Sequence, residues 1–155
     1  MQIKIIAIGT KMPNWVQVAC HEYISRLPRD FKLDVVEIPA KKRKKGFELN
    51  KVLAEEAKLI KKSLNNSDFN ILLDRSGKSL NNHELADIFH NQKINSKSIC
   101  FIIGGPEGIA PEMMTFADQV LSLSHLTLPH PLVRVILSEQ IYRTWSILAK
   151  HPYHR

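Results

Sequence analysis

The chain is poor in the features that indicate an extracellular, membrane-bound or metal-stabilised protein. Its 155 residues include two cysteines, Cys20 and Cys100, without the paired spacing of a zinc site or a disulfide framework. We expect both to be reduced thiols with no role. No apolar run approaches the roughly 20 residues that a membrane span needs, and the apolar amino terminus is too short for a signal peptide. We therefore expect a cytoplasmic protein that binds neither membrane nor metal.

Two common nucleotide-binding signatures are also missing. The segment Gly104-Gly105-Pro106-Glu107-Gly108 lacks the lysine of a P-loop, and Pro106 stands where a dinucleotide fingerprint would begin its helix. An NAD-dependent or nucleotide-dependent enzyme is therefore disfavoured. Taken alone the segment is a tight turn, but its glycines permit positive φ and close approach of a flat group such as adenine. Gly104, Gly105 and Gly108 are therefore candidate cofactor-binding residues.

Basic charge, in contrast, is abundant. The 22 Lys and Arg exceed the 15 Asp and Glu, giving a formal net charge of +7, which attracts polyanions and favours a nucleic acid as the partner. Five of these cations are consecutive, at Lys41, Lys42, Arg43, Lys44 and Lys45. This segment is a candidate RNA-binding loop, although charge runs are usually solvated.

Apolar patterning predicts alternating strands and helices in a single domain, residues 1–155. The predicted strands are 2–8, 31–38, 71–74, 98–103 and 119–123, and the predicted helices are 14–27, 47–64, 82–92 and 131–150. Such alternation is typical of a three-layer α/β fold with a mainly parallel sheet, which binds ligands at the carboxyl ends of its strands. The ligand-facing loops are then 9–13, 39–46, 74–79, 104–111 and 124–131. The last helix is apolar over a wide arc, which predicts a subunit interface at Ile141 and Trp145.

Two parts of the chain carry groups suited to chemistry. His130 lies between two prolines, where it either holds the loop or takes part in catalysis, and Arg134 follows one helical turn later on the same face. Arg134 either binds a phosphate or carboxylate or forms a plain ion pair. The tail ends in Tyr153, His154 and Arg155, a composition suited to stacking on a base and gripping a phosphate, unless the terminus is frayed.

The strings Gly9-Thr10-Lys11-Met12-Pro13, Phe101–Gly108, Leu121–Arg134 and His151-Pro152-Tyr153-His154-Arg155 resemble the bacterial ribosomal RNA large subunit methyltransferase H family over the whole chain. The resemblance implies the SPOUT class, with a C-terminal trefoil knot, a homodimer, and S-adenosylmethionine as cofactor. It implies methylation of N3 of a pseudouridine in a hairpin loop of 23S rRNA, on the assembled ribosome. Carried over by position, the cofactor residues are Leu73, Gly104, Leu123, Ser124, His125, Leu126, Thr127 and Leu128, and the tail residues Tyr153, His154 and Arg155 match the part associated with RNA.

Methyl transfer from a sulfonium is an in-line displacement, so the protein mainly aligns the nucleophile with the methyl group. The N3 imide must also lose a proton, which requires a base or a cation. His154, His130, Arg134 and Arg155 are the available groups, and the sequence does not rank them. A ribosome-associated RNA binder without enzymatic activity remains an alternative, since it shares the charge and the tail but needs no cofactor pocket.

Overall fold

A computed structural model describes residues 1–41, 48–65 and 67–155. In these residues the strands are β1 (Gln2–Ile8), β2 (Lys32–Ile38), β3 (Phe69–Ser79), β4 (Ile99–Ile103) and β5 (Gln119–Ser122). The helices are α1 (Asn14–Ile24), α2 (Leu49–Ser63), α3 (Asn82–Ile94), α4 (Pro111–Phe116) and α5 (His130–Leu148), followed by a 3-10 turn at Pro152–His154. The strands form one parallel sheet in the order β2-β1-β4-β3-β5.

The alternation of side chains along the central strands produces two cores. Ile3 and Ile5 of β1 point to one face, where they pack with Phe89 of α3 and Ile141 of α5. Ile6 points to the other face, toward α2 and α4. Because period-2 alternation sends neighbouring side chains to opposite faces, a strand that is apolar throughout is buried on both. The predicted three-layer α/β architecture is therefore confirmed; the trefoil knot stays a prediction.

Several boundaries differ from the sequence-based ones. The largest difference is in β3, which continues through residues 75–79, where a loop was predicted. Leu73 and Lys78 both pair with Leu121 of β5, so residues 74–77 form an irregularity inside the strand. The predicted start of the second helix at Phe47 lies outside the described residues.

The prediction that Ile141 forms part of a subunit interface is wrong. Its side chain is fully buried in the core of one chain, because α5 packs against both α1 and α3. Trp145 packs against the same core and stacks on Tyr142 at a centroid distance of 5.4 Å. The wide apolar arc of α5 is thus largely used within the chain. No helix in the described ranges is long and apolar enough to span a lipid bilayer.

Candidate functional site

A cavity of about 560 Å³ opens at the carboxyl edge of the sheet, where β3, β4 and β5 end. Nine of the ten predicted cofactor residues line it: Leu73, Gly104, Gly105, Gly108, Leu123, Ser124, Leu126, Thr127 and Leu128. The tenth, His125, is exposed and is not among the lining residues. The structure therefore brings together two loops that are separated in the sequence, as expected for the carboxyl edge of a parallel sheet.

The glycine turn after β4 is closed by its own backbone. Gly105 N donates to Gly108 O at 3.1 Å, and Gly108 N donates to Gly105 O at 2.9 Å. A Cβ atom on Gly104 would lie 2.7 Å from Gly108 O, too close for any other residue. Gly108 has φ +91°, a conformation that favours glycine.

Gly105 does not have a positive φ, since among the described glycines only Gly9 and Gly108 have one. The space around Gly105 is nevertheless restricted by neighbouring side chains. A Cβ there would lie 3.1 Å from Ile8 Cγ2 and 3.4 Å from Oε2 of the buried Glu56. The turn is thus seated directly against the end of β1.

The loop after β5 is stiffened by two serines. Ser122 Oγ donates to Ser124 O at 2.8 Å, and Ser124 Oγ accepts from Leu126 N at 2.9 Å. Leu126 is 76% exposed even though it lines the cavity, so an apolar side chain stands at the mouth. The backbone of this loop and of the glycine turn offers a surface on which an aromatic group can lie, and Glu107 adds a carboxylate to the lining.

The irregularity in β3 adds charged groups to the same cavity. Asp74 and Arg75 line it, and Asp74 Oδ1 accepts from Ser76 N at 2.8 Å and Ser76 Oγ at 2.5 Å. A Cβ on Gly77 would lie 2.5 Å from the backbone carbon of Leu121, so the strand can return to β5 only with glycine there. Sequence reasoning placed residues 74–79 at the ligand edge but assigned no role to Asp74 or Arg75.

His130, the first residue of α5, links the two loops. It lines the cavity, and its imidazole interacts with the backbone of Gly105. Burial, followed by the nearby positive charge of Arg134, lowers the pKa of His130, which favours the neutral imidazole. Its Nδ1 is buried and has no partner among the described residues.

Arg134 is not part of the cavity. The residue is 4% exposed. Its side chain pairs with Glu37 of β2 and donates to Gly9 O at 2.7 Å and Ile8 O at 3.3 Å, at the end of β1. The guanidinium is thus committed to protein groups. Of the two alternatives for Arg134, this geometry favours an ion pair within the protein, and that ion pair is buried.

The tail folds back on α5 instead of fraying. Tyr153 Oη donates to Glu139 Oε1 at 3.0 Å, and Arg143 donates to the same oxygen from Nε at 2.9 Å. The Tyr153 ring packs edge-on against Tyr142 at 4.7 Å. Burial, followed by the hydrogen bond to Glu139, raises the pKa of Tyr153 to about 12. Tyr153, His154 and Arg155 do not line the cavity.

One residue of the predicted basic loop is described. Lys41 Nζ pairs with Glu55 at 3.1 Å, and Lys41 N donates to Glu56 Oε1 at 3.2 Å. Lys42, Arg43, Lys44 and Lys45 lie outside the described residues, so the RNA-binding assignment stays a prediction. Within the described ranges, no three His, Cys, Asp or Glu side chains are grouped as metal ligands would be.

Comparison with known proteins identifies the class to which this fold and cavity belong. Residues 1–154 match the family described as "Predicted SPOUT methyltransferase". The chain is also 43% identical, over 155 residues, to the ribosomal RNA large subunit methyltransferase H of Hahella chejuensis, covering 100% of this chain and 99% of that protein. The chain therefore belongs to the SPOUT methyltransferase family, which confirms the resemblance inferred from the sequence.

Two solved structures share the fold at low sequence identity. A methylase family protein from Neisseria gonorrhoeae superposes with a TM-score of 0.56 and 11% identity, over 96% of this chain and 93% of that one. A methylase family protein from Haemophilus influenzae superposes with a TM-score of 0.60 and 12% identity, over 97% of this chain and 67% of that one. At such identities the likeness shows the fold alone.

Proposed function

We propose that this chain is an S-adenosylmethionine-dependent methyltransferase of large-subunit ribosomal RNA, working in the cytoplasm as a single domain, residues 1–155. The observation that carries the proposal is the cavity that the glycine turn and the 123–128 loop form in a chain of the SPOUT family. SPOUT methyltransferases generally use S-adenosylmethionine. The relative from Hahella chejuensis, named as a ribosomal RNA large subunit methyltransferase, supports the substrate class.

The cavity fits such a cofactor in size and chemistry. Its volume of about 560 Å³ lies within the usual range for small-molecule pockets, about 300–1,000 Å³. Only glycine at position 104 leaves the turn this compact, because a Cβ there would meet Gly108 O, and residues of the 123–128 loop line the same cavity. Ile103 and Val133 supply apolar lining, and Asp74, Arg75 and Glu107 supply charge. A bound S-adenosylmethionine would provide an activated methyl group on a sulfonium, so metal ligands are not needed.

The remaining task of the protein is to orient the accepting base and remove its proton. We assign N3 of a pseudouridine in a 23S rRNA hairpin loop, on the assembled ribosome, as the accepting atom, and the tail as the part that meets RNA. His154 and Arg155 are then the groups that accept the N3 proton or stabilise the imide anion. Tyr153 donates a hydrogen bond to Glu139 and packs against Tyr142. These contacts favour a role in fixing the tail beside α5 over stacking on the base.

A homodimer would bring these parts together. Within one chain the tail lies outside the cavity, so we propose that the tail of one subunit completes the cavity of the other. Leu132 of α5 is 38% exposed and precedes the cavity-lining residue Val133, so it is a suitable interface position. Leu132→Glu should give a folded, inactive monomer by sedimentation, whereas Ile94→Glu, at an exposed apolar position at the end of α3, should leave the oligomeric state unchanged. A fully active Leu132→Glu monomer would refute the shared site.

The function itself is tested in two steps. Calorimetry should detect binding of S-adenosylmethionine to the purified protein, and labelled cofactor should transfer its methyl group to ribosomes lacking the modification. Mass spectrometry of the digested rRNA should then show N3-methylpseudouridine, with assembled ribosomes methylated far better than free 23S rRNA. Ribosome binding without cofactor binding would instead support the non-enzymatic RNA binder.

A further inference from the structure

We propose that Arg75 recognises the carboxylate of the amino-acid portion of the cofactor, and that the irregularity in β3 exists to place it there. The inference rests on the proposed function, since it assigns one end of the S-adenosylmethionine molecule to one end of the cavity. It adds a specificity-determining residue that neither the glycine turn nor the 123–128 loop supplies.

The position of Arg75 follows from the order of the strands. β3 lies between β4 and β5, so the residues that interrupt it stand between the glycine turn and the 123–128 loop. Residues 74–77 leave the strand after Leu73, and pairing resumes at Lys78 against the same partner, Leu121. Both Asp74 and Arg75 thereby reach the lining of the cavity.

The irregularity is built from specific local interactions. Both the backbone and the hydroxyl of Ser76 donate to Asp74 Oδ1, which closes a tight local turn. Gly77 is required at the return point because a Cβ there would lie 2.5 Å from the backbone of Leu121. A regular strand would have continued past the cavity, so these interactions hold Arg75 at its edge.

The charge of Arg75 is available for a ligand. Its side chain is exposed, and its guanidinium has no hydrogen bond or ion pair to any residue in the described part of the chain. The other basic side chain in the described lining is His130, whose lowered pKa favours the neutral form. A carboxylate that enters this cavity therefore meets one permanent cation, and the planar guanidinium can bind it through two parallel hydrogen bonds.

The rest of the lining suits the opposite end of the cofactor. Adenine is flat and carries no charge, and it fits the apolar and backbone surfaces of the glycine turn and the 123–128 loop. The amino-acid portion carries both a carboxylate and an ammonium group, and it fits the end that holds Arg75 beside the carboxylate of Asp74. Charge complementarity thus orients the cofactor in the cavity.

The test compares two sulfonium ligands that differ in the carboxylate alone. Calorimetry is carried out on the full-length protein with S-adenosylmethionine and with decarboxylated S-adenosylmethionine. The wild-type protein should prefer S-adenosylmethionine by roughly two- to fivefold, as expected for an exposed ion pair. Arg75→Ala should lose this preference by weakening S-adenosylmethionine alone, and Arg75→Lys should retain part of it. Lys78→Ala serves as the matched control, since Lys78 is an exposed cation of the same strand that pairs with Glu84 and does not line the cavity.

Each alternative result has a distinct meaning. Equal weakening of both ligands by Arg75→Ala would overturn the proposal, because Arg75 would then only maintain the shape of the cavity. Unchanged affinity for both, with reduced methylation of ribosomes, would overturn it by placing Arg75 against RNA. If the wild-type protein binds neither ligand, the proposed function fails together with this inference.

Discussion

Arg134 can be tested directly as a structural residue. Its guanidinium joins the first turn of α5 to the end of β1, through Glu37 and the carbonyl oxygens of Ile8 and Gly9. We predict that Arg134→Met destabilises the protein without removing a group from the reaction. The methionine keeps much of the side-chain volume but leaves a buried carbonyl group and a carboxylate without their donor.

The size of the effect follows from burial. Breaking a buried ion pair by removing one partner costs about 3–5 kcal/mol. The side chain of Glu37 is 38% exposed and can regain water, so we expect the lower end, about 3 kcal/mol. In a domain of 155 residues each kcal/mol lowers Tm by roughly 2–4 °C, which gives a fall of about 6–12 °C. Glu37→Gln should cost less than Arg134→Met, because an amide oxygen still accepts from Arg134, but it should still destabilise the protein because the buried guanidinium loses its counter-charge.

Urea denaturation followed by tryptophan fluorescence measures the effect, with Lys51→Met as the control. Lys51 forms an exposed ion pair with Glu48, so its loss should leave the midpoint almost unchanged. Calorimetry with S-adenosylmethionine, at a temperature where Arg134→Met is folded, shows whether the cavity survives. A variant of unchanged stability that no longer methylates ribosomes would refute the structural role and would indicate that Arg134 takes part in catalysis.

Three further predictions concern the cavity and the tail. Gly104→Ala should abolish calorimetric binding of S-adenosylmethionine, because its Cβ would lie 2.7 Å from Gly108 O, and wild-type affinity would show that the turn does not contact the cofactor. Because the pKa of His130 is lowered in the folded state, its contribution to stability is present above the unfolded pKa of about 6.5 and is lost as pH falls. His130→Asn should therefore reduce the drop in urea midpoint between pH 7 and pH 5. An equal drop in the variant and the wild-type protein would contradict this prediction. The raised pKa of Tyr153 contributes stability below about pH 10 that is lost as pH rises toward 12. Tyr153→Phe should therefore remove the latest of the phenol ionisations seen by ultraviolet titration. Loss of an ionisation near pH 10 instead would mean that Tyr153 is not held by Glu139.

The sheet and its ligand edge could be predicted because they depend on local patterns. Apolar runs such as Ile99–Ile103 are buried on both faces, and the alternation of strands with helices leaves a parallel sheet as the simplest arrangement. In a parallel sheet the loops that follow the strands meet at one edge. Nine of ten cofactor candidates therefore line one cavity, although their contact with the cofactor is still a proposal.

The irregularity in β3 could not be predicted from the same patterns. Residues 74–79 contain Gly77 and Ser76, which is the composition of a loop, and a loop was expected. Gly77 is instead required by close approach to Leu121, a residue of another strand. Sequence patterns report the backbone freedom of a glycine, but they do not report which neighbour makes that freedom necessary.

The same limit applies to α5. The wide apolar arc predicts a subunit interface at Ile141, but that residue is buried within the chain because α5 packs against α1 and α3. Arg134 and Gly9 are 125 positions apart in the chain, and only the folded sheet brings the first turn of α5 to the end of β1. A buried arginine that donates to backbone carbonyls has the same local sequence context as an arginine free to bind phosphate. For this chain, the distinction between structural and catalytic cations is therefore set by tertiary contacts: Arg134 is committed to the protein, whereas Arg75, on a strand interrupted at the ligand edge, has no partner in the described part of the chain.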